Sequence, residues 1–191
     1  MPIQLGKTAE SDYTNPIGLL GDCHRRIERF LDTLSRLVKS NSELDDDRRK
    51  ALVSSLKYFR EAAPRHTADE EESLFPRLRG SASAEAQSEL NRIDALHEEH
   101  IVVDALHKRV EEIGQRWLSQ GSLSGDDLSQ IRQALQQLSV IYQQHILLEE
   151  STIFTLASRV LNKEEVESIG REMASRRGLD FDKLTCTTTS L

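Results

Sequence analysis

The chain has 191 residues, 37% of them apolar and 30% charged, with 25 Lys and Arg against 32 Asp and Glu, a formal net charge of −7 and two cysteines. That length is enough for one domain with a sizeable core, and the composition excludes disordered, fibrous and disulfide-stapled chains. The acidic balance, with a pI of about 5.4, argues against nucleic acid or an anionic membrane as the main partner, because both call for a basic face.

No apolar run approaches the roughly 20 residues that span a bilayer. The polar stretch from Met1 to Tyr13 lacks a signal-peptide core, so a reducing cytoplasm is the expected location. Residues 1–14 read as a flexible arm. Asn15-Pro16 supplies a cap and a first-turn proline. Ile17, Leu20, His24, Ile27, Leu31, Leu34 and Val38 then recur at helical spacing, which predicts a first helix over about 16–40, ended by Asn41-Ser42. A second helix starts near Leu44 to Asp46, with acids in its first turn as the helix dipole prefers. It carries Leu52, Leu56, Phe59, Ala63, His66, Glu70 and Leu74 on one stripe. Pro64 predicts a bend at 60–64, and Pro76 and Gly80 mark the end.

A third helix is expected over about 83–118, with Ile93, Leu96, His100, Val103 or Asp104, His107 and Val110 inward. Gln120 to Gly125 reads as a loop. A fourth helix follows over about 126–160, with Leu135, Leu138, Ile141, His145, Leu148, Glu149, Thr152 and Leu156 inward. Asn162-Lys163-Glu164-Glu165 is a capping-box signal for a short helix to about 176, and residues 179–191 read as a flexible tail. No segment alternates with strand period. The expected fold is all-α: an up-down antiparallel four-helix bundle over residues 15–178, with a short fifth C-terminal helix.

One phrase occurs twice. Residues 66–75 run from His66 through Glu70 and Glu71 to Leu74 and Phe75, and residues 145–154 run from His145 through Glu149 and Glu150 to Ile153 and Phe154. Positions i and i+4 are neighbours on one helix face, about 5–6 Å apart at Cβ. Each phrase therefore aims an imidazole and a carboxylate at one point. All six histidines, at 24, 66, 97, 100, 107 and 145, fall within the four long helices, and antiparallel packing brings His24, His66, His100 and His145 to a similar depth. A lone His on an apolar stripe is more often structural, and a lone His-x3-Glu is usually a surface ion pair. Two matching copies, with one His on each remaining helix, favour a metal site. Imidazole and carboxylate together suit iron, zinc or manganese. Metals shared between Glu70 and Glu149 would relieve the cost of burying two carboxylates side by side.

Around that core of residues, Glu71 and Glu150 are expected behind the ligands or at the rim, and Asp69 and Glu72 in solvent. Phe75 and Phe154 lie half a turn away from the His stripe and are expected to pack between helices. Ile27, Phe59, Leu96 and Leu148 are candidates for an apolar ligand pocket. Tyr142, one turn before His145, is a candidate donor to a bound oxygen, set against a core tyrosine with its hydroxyl bonded. Cys23 reads as a small apolar residue rather than a redox handle.

These residues resemble the hemerythrin-like cation-binding domain of the bacterial type. The resemblance rests on His24, on His66 with Glu70, on His100 after Glu98-Glu99, and on His145 with Glu149. Leu74-Phe75-Pro76 and the closing run Glu172 to Gly178 extend it, so that it covers about residues 15–178. It implies a non-haem di-iron centre with an oxo or hydroxo bridge. Glu70 and Glu149 would bridge, His24 and His66 would serve one iron, and His100 and His145 the other. The chain departs from the invertebrate oxygen carriers, which place a second His four residues after the position of His100. Here that position is Asp104. Asp104, His97, Glu28 or water would fill the gap, while His107 reads as structural.

The implied function is binding or sensing of oxygen, nitric oxide or peroxide at the two irons. A peroxide- or nitric-oxide-consuming enzyme and an iron-handling or storage module are the alternatives. The core can be hidden in a monomer, so a monomer or weak homo-oligomer is expected.

Overall fold

The computed structural model describes residues 11–39 and 43–186, except the side chains of residues 185 and 186. The first ten residues of the expected arm, the break at Asn41-Ser42 and the last five residues of the tail lie outside the described residues. Within them the chain is helical throughout, with no strand. No helix is long and apolar enough to cross a membrane.

Helix α1 is Pro16–Lys39, and the Asn15 side chain accepts from Gly18 N–H at its start. Helix α2, Asp46–Glu61, is capped by Asp45, which accepts from Arg48 N–H. The chain breaks at Ala62 and resumes as α3, Ala63–Ala68, with Pro64 in its first turn, so the bend falls within the 60–64 window. A π turn, Asp69–Leu74, then leads into α4, Phe75–Gly80. The expected third helix is split at Glu89 into α5, Ala84–Ser88, and α6, Leu90–Gln120. Gly121 ends α6 in the left-handed conformation at φ 78°, donating its N–H to Trp117 O. A glycine adopts that conformation without the strain a Cβ would bring.

Helix α7, Gly125–Leu148, is capped by Ser124. A second π turn, Glu149–Ile153, joins it to α8, Phe154–Val160. Helix α9, Lys163–Ser175, carries the full capping box between Asn162 and Glu165. The tail expected after residue 178 instead forms α10, Phe181–Cys186. Phe181 is buried there, under the Arg171 guanidinium at 4.6 Å. The chain's other end also docks on α9. A Cβ at Gly170 would lie 2.0 Å from Tyr13 O, so only glycine admits that segment.

Contacts between helix ends set their pairing. Arg48 near the start of α2 donates to Leu37 O in α1 at 3.0 Å, and Arg49 to Leu118 O in α6 at 2.8 Å. Arg132 in α7 reaches Val38 O at 3.3 Å, and Arg116 in α6 pairs with Asp127 in α7 at 2.6 Å. Two apolar clusters result. One gathers Ile27, Leu34, Leu56, Ile113, Ile131 and Leu138. The other gathers Leu20, Leu74, Leu96, Ile153, Ile169 and Met173. Along each of the four long stretches, a buried histidine (His24, His66, His100 or His145) falls where one cluster gives way to the other.

Candidate metal centre

The polar layer between the two clusters consists of His24 from α1, His66 from α3, Glu70 from the first π turn, His100 from α6, His145 from α7 and Glu149 from the second π turn. All six are buried, and both carboxylates have 0% exposure. Glu149 Oε2 is 3.0 Å from His24 Nε2, and Glu149 Oε1 is 3.3 Å from His145 Nε2. Glu70 Oε1 is 3.3 Å from His66 Nε2 and 3.9 Å from His24 Nε2, and Glu70 Oε2 is 3.4 Å from His100 Nε2. His100 Nε2 and His145 Nε2 approach to 3.1 Å. Their nitrogen and oxygen atoms fall into two sets that could each hold a cation, each within a 4.8 Å span: His24, His66, Glu70 and Glu149, and His100, His145, Glu70 and Glu149.

The outer nitrogens explain why these imidazoles face inward. Nδ1 of His24 is 2.9 Å from Glu150 Oε1, Nδ1 of His100 is 2.7 Å from Glu71 Oε1, and Nδ1 of His145 is 2.8 Å from Glu99 Oε2. A carboxylate accepting from Nδ1–H fixes the tautomer, turns Nε2 toward the centre and makes it a stronger donor to a cation. Two aromatic rings brace the arrangement. Phe154 stacks on His24 at 5.3 Å and 12°, and Phe75 on His100 at 6.2 Å and 14°.

The donor set fits a cation. His24 Nε2 and all four oxygens of Glu70 and Glu149 are buried without a hydrogen-bond partner of good geometry. Buried carboxylates left that way are costly. Ligands held about 2.0–2.2 Å from one ion stand roughly 3 Å from their neighbours, which matches the spacings within each set.

The family model of the hemerythrin HHE cation binding domain matches residues 15–157. The chain belongs to that family. The match runs from the cap of α1 into α8 and contains all six buried polar residues of the centre. An uncharacterized protein of Haemophilus influenzae (strain ATCC 51907 / DSM 11121 / KW20 / Rd) is 27% identical over 173 residues, spanning 86% of this chain and 91% of that protein. The sequence-level resemblance to the hemerythrin-like domain is therefore shown, and with it a helical, cation-binding domain.

Three other candidate ligands of this hemerythrin-like chain are not brought to the centre. Glu28 is exposed on α1. Asp104 is exposed and pairs with Lys108 at 2.6 Å, because four residues after His100 the inward place is taken by Val103. His97 is half exposed, with Nδ1 3.0 Å from Glu71 Oε2. His107 lies on the apolar stripe, its Nε2 accepting from the Tyr142 hydroxyl at 3.1 Å. Burial lowers the His107 pKa to about 4, so it is neutral and free to accept. Tyr142 is thereby the bonded core tyrosine, and Cys23 is buried.

One further expectation is corrected and another extended. Asp69 is fully buried rather than solvated, held by Arg177 at 2.7 Å and Arg176 at 3.0 Å, since the chain folds back over it after α9. Phe75 and Phe154 do pack between helices in the second apolar cluster, and they also stack on His100 and His24 respectively. Nine residues at about 100° each would carry them to the far side of the helix. In each π turn, however, the Phe N–H donates to a carbonyl five residues back, Glu70 O or Glu149 O. That absorbs one residue, about a quarter-turn, and swings the phenyl toward the centre. The same turn lets consecutive glutamates serve different tasks: Glu70 and Glu149 face the centre, while Glu71 and Glu150 reach the outer nitrogens of the next helices.

Without a cation, protons hold the charges together. Burial alone would lower the pKa of His24, but the Glu149 and Glu70 carboxylates prevail and push it up to about 11. His100 is raised likewise to about 10, burial being outweighed by Glu70 and Glu71. His66 is lowered to about 4, chiefly by burial. The raised His24 pKa contributes stability to the metal-free fold that is complete below the ordinary value of 6.5 and is lost as pH rises through about 11. A cation must displace those protons. Metal binding to the apo protein at pH 7 is therefore expected to release protons from His24 and His100, and to tighten as pH rises. A pH-indicator titration against added metal checks this; the absence of proton release would contradict it.

Proposed function

We propose that this chain is a non-haem di-iron protein that binds or senses a small ligand, namely oxygen, nitric oxide or peroxide. The observation that carries the reading is the pair of two-histidine, two-glutamate sets sharing Glu70 and Glu149. His24 and His66 would hold one iron, His100 and His145 the other, and the two carboxylates would bridge them. Such a placement suits an up-down antiparallel four-helix bundle with a fifth helix, with ligands projecting from facing helices into the core. Nitrogen and carboxylate donors without thiolate suit iron. When bound, the irons would supply reducible Lewis-acid centres with positions left over after two imidazoles and two shared carboxylates.

The protein's own contribution is to exclude water, orient the ligands and limit proton supply. Leu96 and Ile27 flank the layer in fully buried positions, which favours small neutral ligands over charged ones. The Tyr142 hydroxyl is engaged by His107. With no free phenol committed to the centre, binding is favoured over proton-coupled turnover.

The test is anaerobic loading with ferrous iron, followed by metal analysis and a visible spectrum under oxygen, nitric oxide or peroxide. About two irons per chain and an oxygen-dependent band that reverses on degassing support the reading. Steady catalytic loss of peroxide or nitric oxide would instead make it an enzyme. Easy release of iron to a chelator with neither behaviour would make it an iron-handling module. Failure to retain iron at all would overturn the di-iron assignment.

A further inference from the structure

A cleft of about 400 Å³ opens beside α1 and α3, lined among others by Tyr13, Cys23, Arg26, Tyr58, Arg65 and Arg177. It is separate from the metal layer, although Cys23 and Arg65 immediately precede His24 and His66 in sequence. Its volume is in the range of small-molecule sites. Three guanidinium groups from three different parts of the fold meet there, and no carboxylate is among the described residues that line it. This is unusual for a chain of net charge −7.

The remaining polar side chains are neutral, and the Tyr58 hydroxyl already donates to Cys23 O at 3.3 Å. Burial raises the pKa of the Tyr13 and Tyr58 phenols and of the Cys23 thiol, with the nearby arginines opposing it only in part. Arg26 donates to Cys23 Sγ at 3.2 Å. Arg177 is held by Asp69 through two contacts at 2.7 and 3.2 Å and by Met173 O at 2.8 Å, so the buried Asp69 charge offsets it in part and also acts on Tyr13 and Cys23. Arg65 is exposed and has no carboxylate partner among the described residues. An entering anion meets guanidinium groups carried by three parts of the fold, with the Tyr13 side chain beside them. Guanidinium groups bind phosphate and carboxylate by charge-assisted, often bidentate hydrogen bonds.

We propose that this cleft binds a small organic anion through its phosphate or carboxylate group. The site is independent of the metal reading, and its geometry places an anionic effector or reactant beside the helices that carry His24 and His66.

The experiment is calorimetric titration of the metal-loaded full chain with phenyl phosphate and, separately, with benzoate. Saturable one-to-one binding is expected for at least one probe, and the tighter of the two identifies the group recognised. Arg65→Gln should weaken that binding about tenfold, the scale of one lost charge-assisted contact. Arg36→Gln, on an exposed arginine paired with Asp32 elsewhere on α1, should leave it unchanged. Tyr13→Phe should weaken it more modestly. Unchanged metal content and unfolding temperature in each variant separate loss of the site from loss of the fold. No saturable heat with either probe, or equal affinities in Arg65→Gln and the unaltered chain, would overturn the proposal. So would equal weakening by Arg36→Gln, which would mark general charge attraction.

Discussion

Glu149→Ala is expected to leave the chain folded and empty both metal positions, whereas His66→Ala should empty one and weaken the other. The difference follows from sharing. Glu149 belongs to both ligand sets, while His66 belongs to one. The apo fold should tolerate the loss of Glu149 because the repulsion with Glu70, also fully buried, disappears with it and offsets part of the lost contacts to His24 and His145. Burial and the Glu70 charge act to raise the pKa of Glu149, and His145 and His24 outweigh them, so that it is lowered overall. His24 keeps Glu70 within 3.9 Å. The unfolding temperature of the metal-free variant should therefore lie only modestly below that of the metal-free parent, with the holo-specific stabilisation lost. That stabilisation is about 2.7 kcal/mol when free metal stands at 100 times its dissociation constant. Metal analysis and thermal unfolding with and without iron check both parts. Glu150→Gln provides the contrast: it removes the outer charge behind His24 and should weaken binding without abolishing it, in the 10–100-fold range typical of such partners. Retention of both metals by Glu149→Ala would return the repeated phrase to a role in packing.

Much of this centre was legible because its key residues obey helix periodicity up to the second residue of each pair. His66 with Glu70 and His145 with Glu149 are i, i+4 neighbours, and the apolar stripes of α1 and α6 point His24 and His100 the same way. Legibility fails beyond those residues, where the π turns begin. Counting at 3.6 residues per turn sends Thr152 inward and Phe154 outward. In the fold Ile153 is buried, Thr152 only partly so, and Phe154 stacks on His24. Nothing in a local pattern of polar and apolar residues announces one extra residue in a turn. Long-range partners are hidden for a different reason. Asp69 sits in the run Asp-Glu-Glu-Glu, which reads as a solvated face, and becomes buried only when Arg176 and Arg177, more than a hundred residues later, fold onto it. Glu99 likewise finds its purpose only through His145 across the helix pair.

Asp69→Ala should cost about 2–4 kcal/mol of stability and should also loosen the metal, because this buried carboxylate joins the last long helix to the turn that presents Glu70. Removing one partner of a fully buried ion pair costs about 3–5 kcal/mol. Here Arg176 and Arg177 keep 19% and 18% of their side chains exposed, so partial hydration of the abandoned guanidiniums trims the loss. The same turn is tied by Arg176 to Ser73 Oγ at 2.8 Å. Just beyond it, Arg77 grips Glu172 of α9 at 2.7 and 3.0 Å. The second π turn is braced differently, by Glu150 on His24. Loss of Asp69 thus acts on the Glu70 side of the centre, and since Glu70 belongs to both ligand sets, chelator should strip the metals faster, by about tenfold if 1.4 kcal/mol of the cost reaches the site. Glu72→Gln is the matched control. It removes an exposed partner of the same Arg176 and should change stability by at most about 1 kcal/mol. A drop in unfolding temperature with an unaltered chelator rate would mean that α9 stabilises the fold without steering Glu70. A faster rate in Asp69→Ala but not in Glu72→Gln would make the fifth helix, which lies beyond the family match, part of what holds the centre in register.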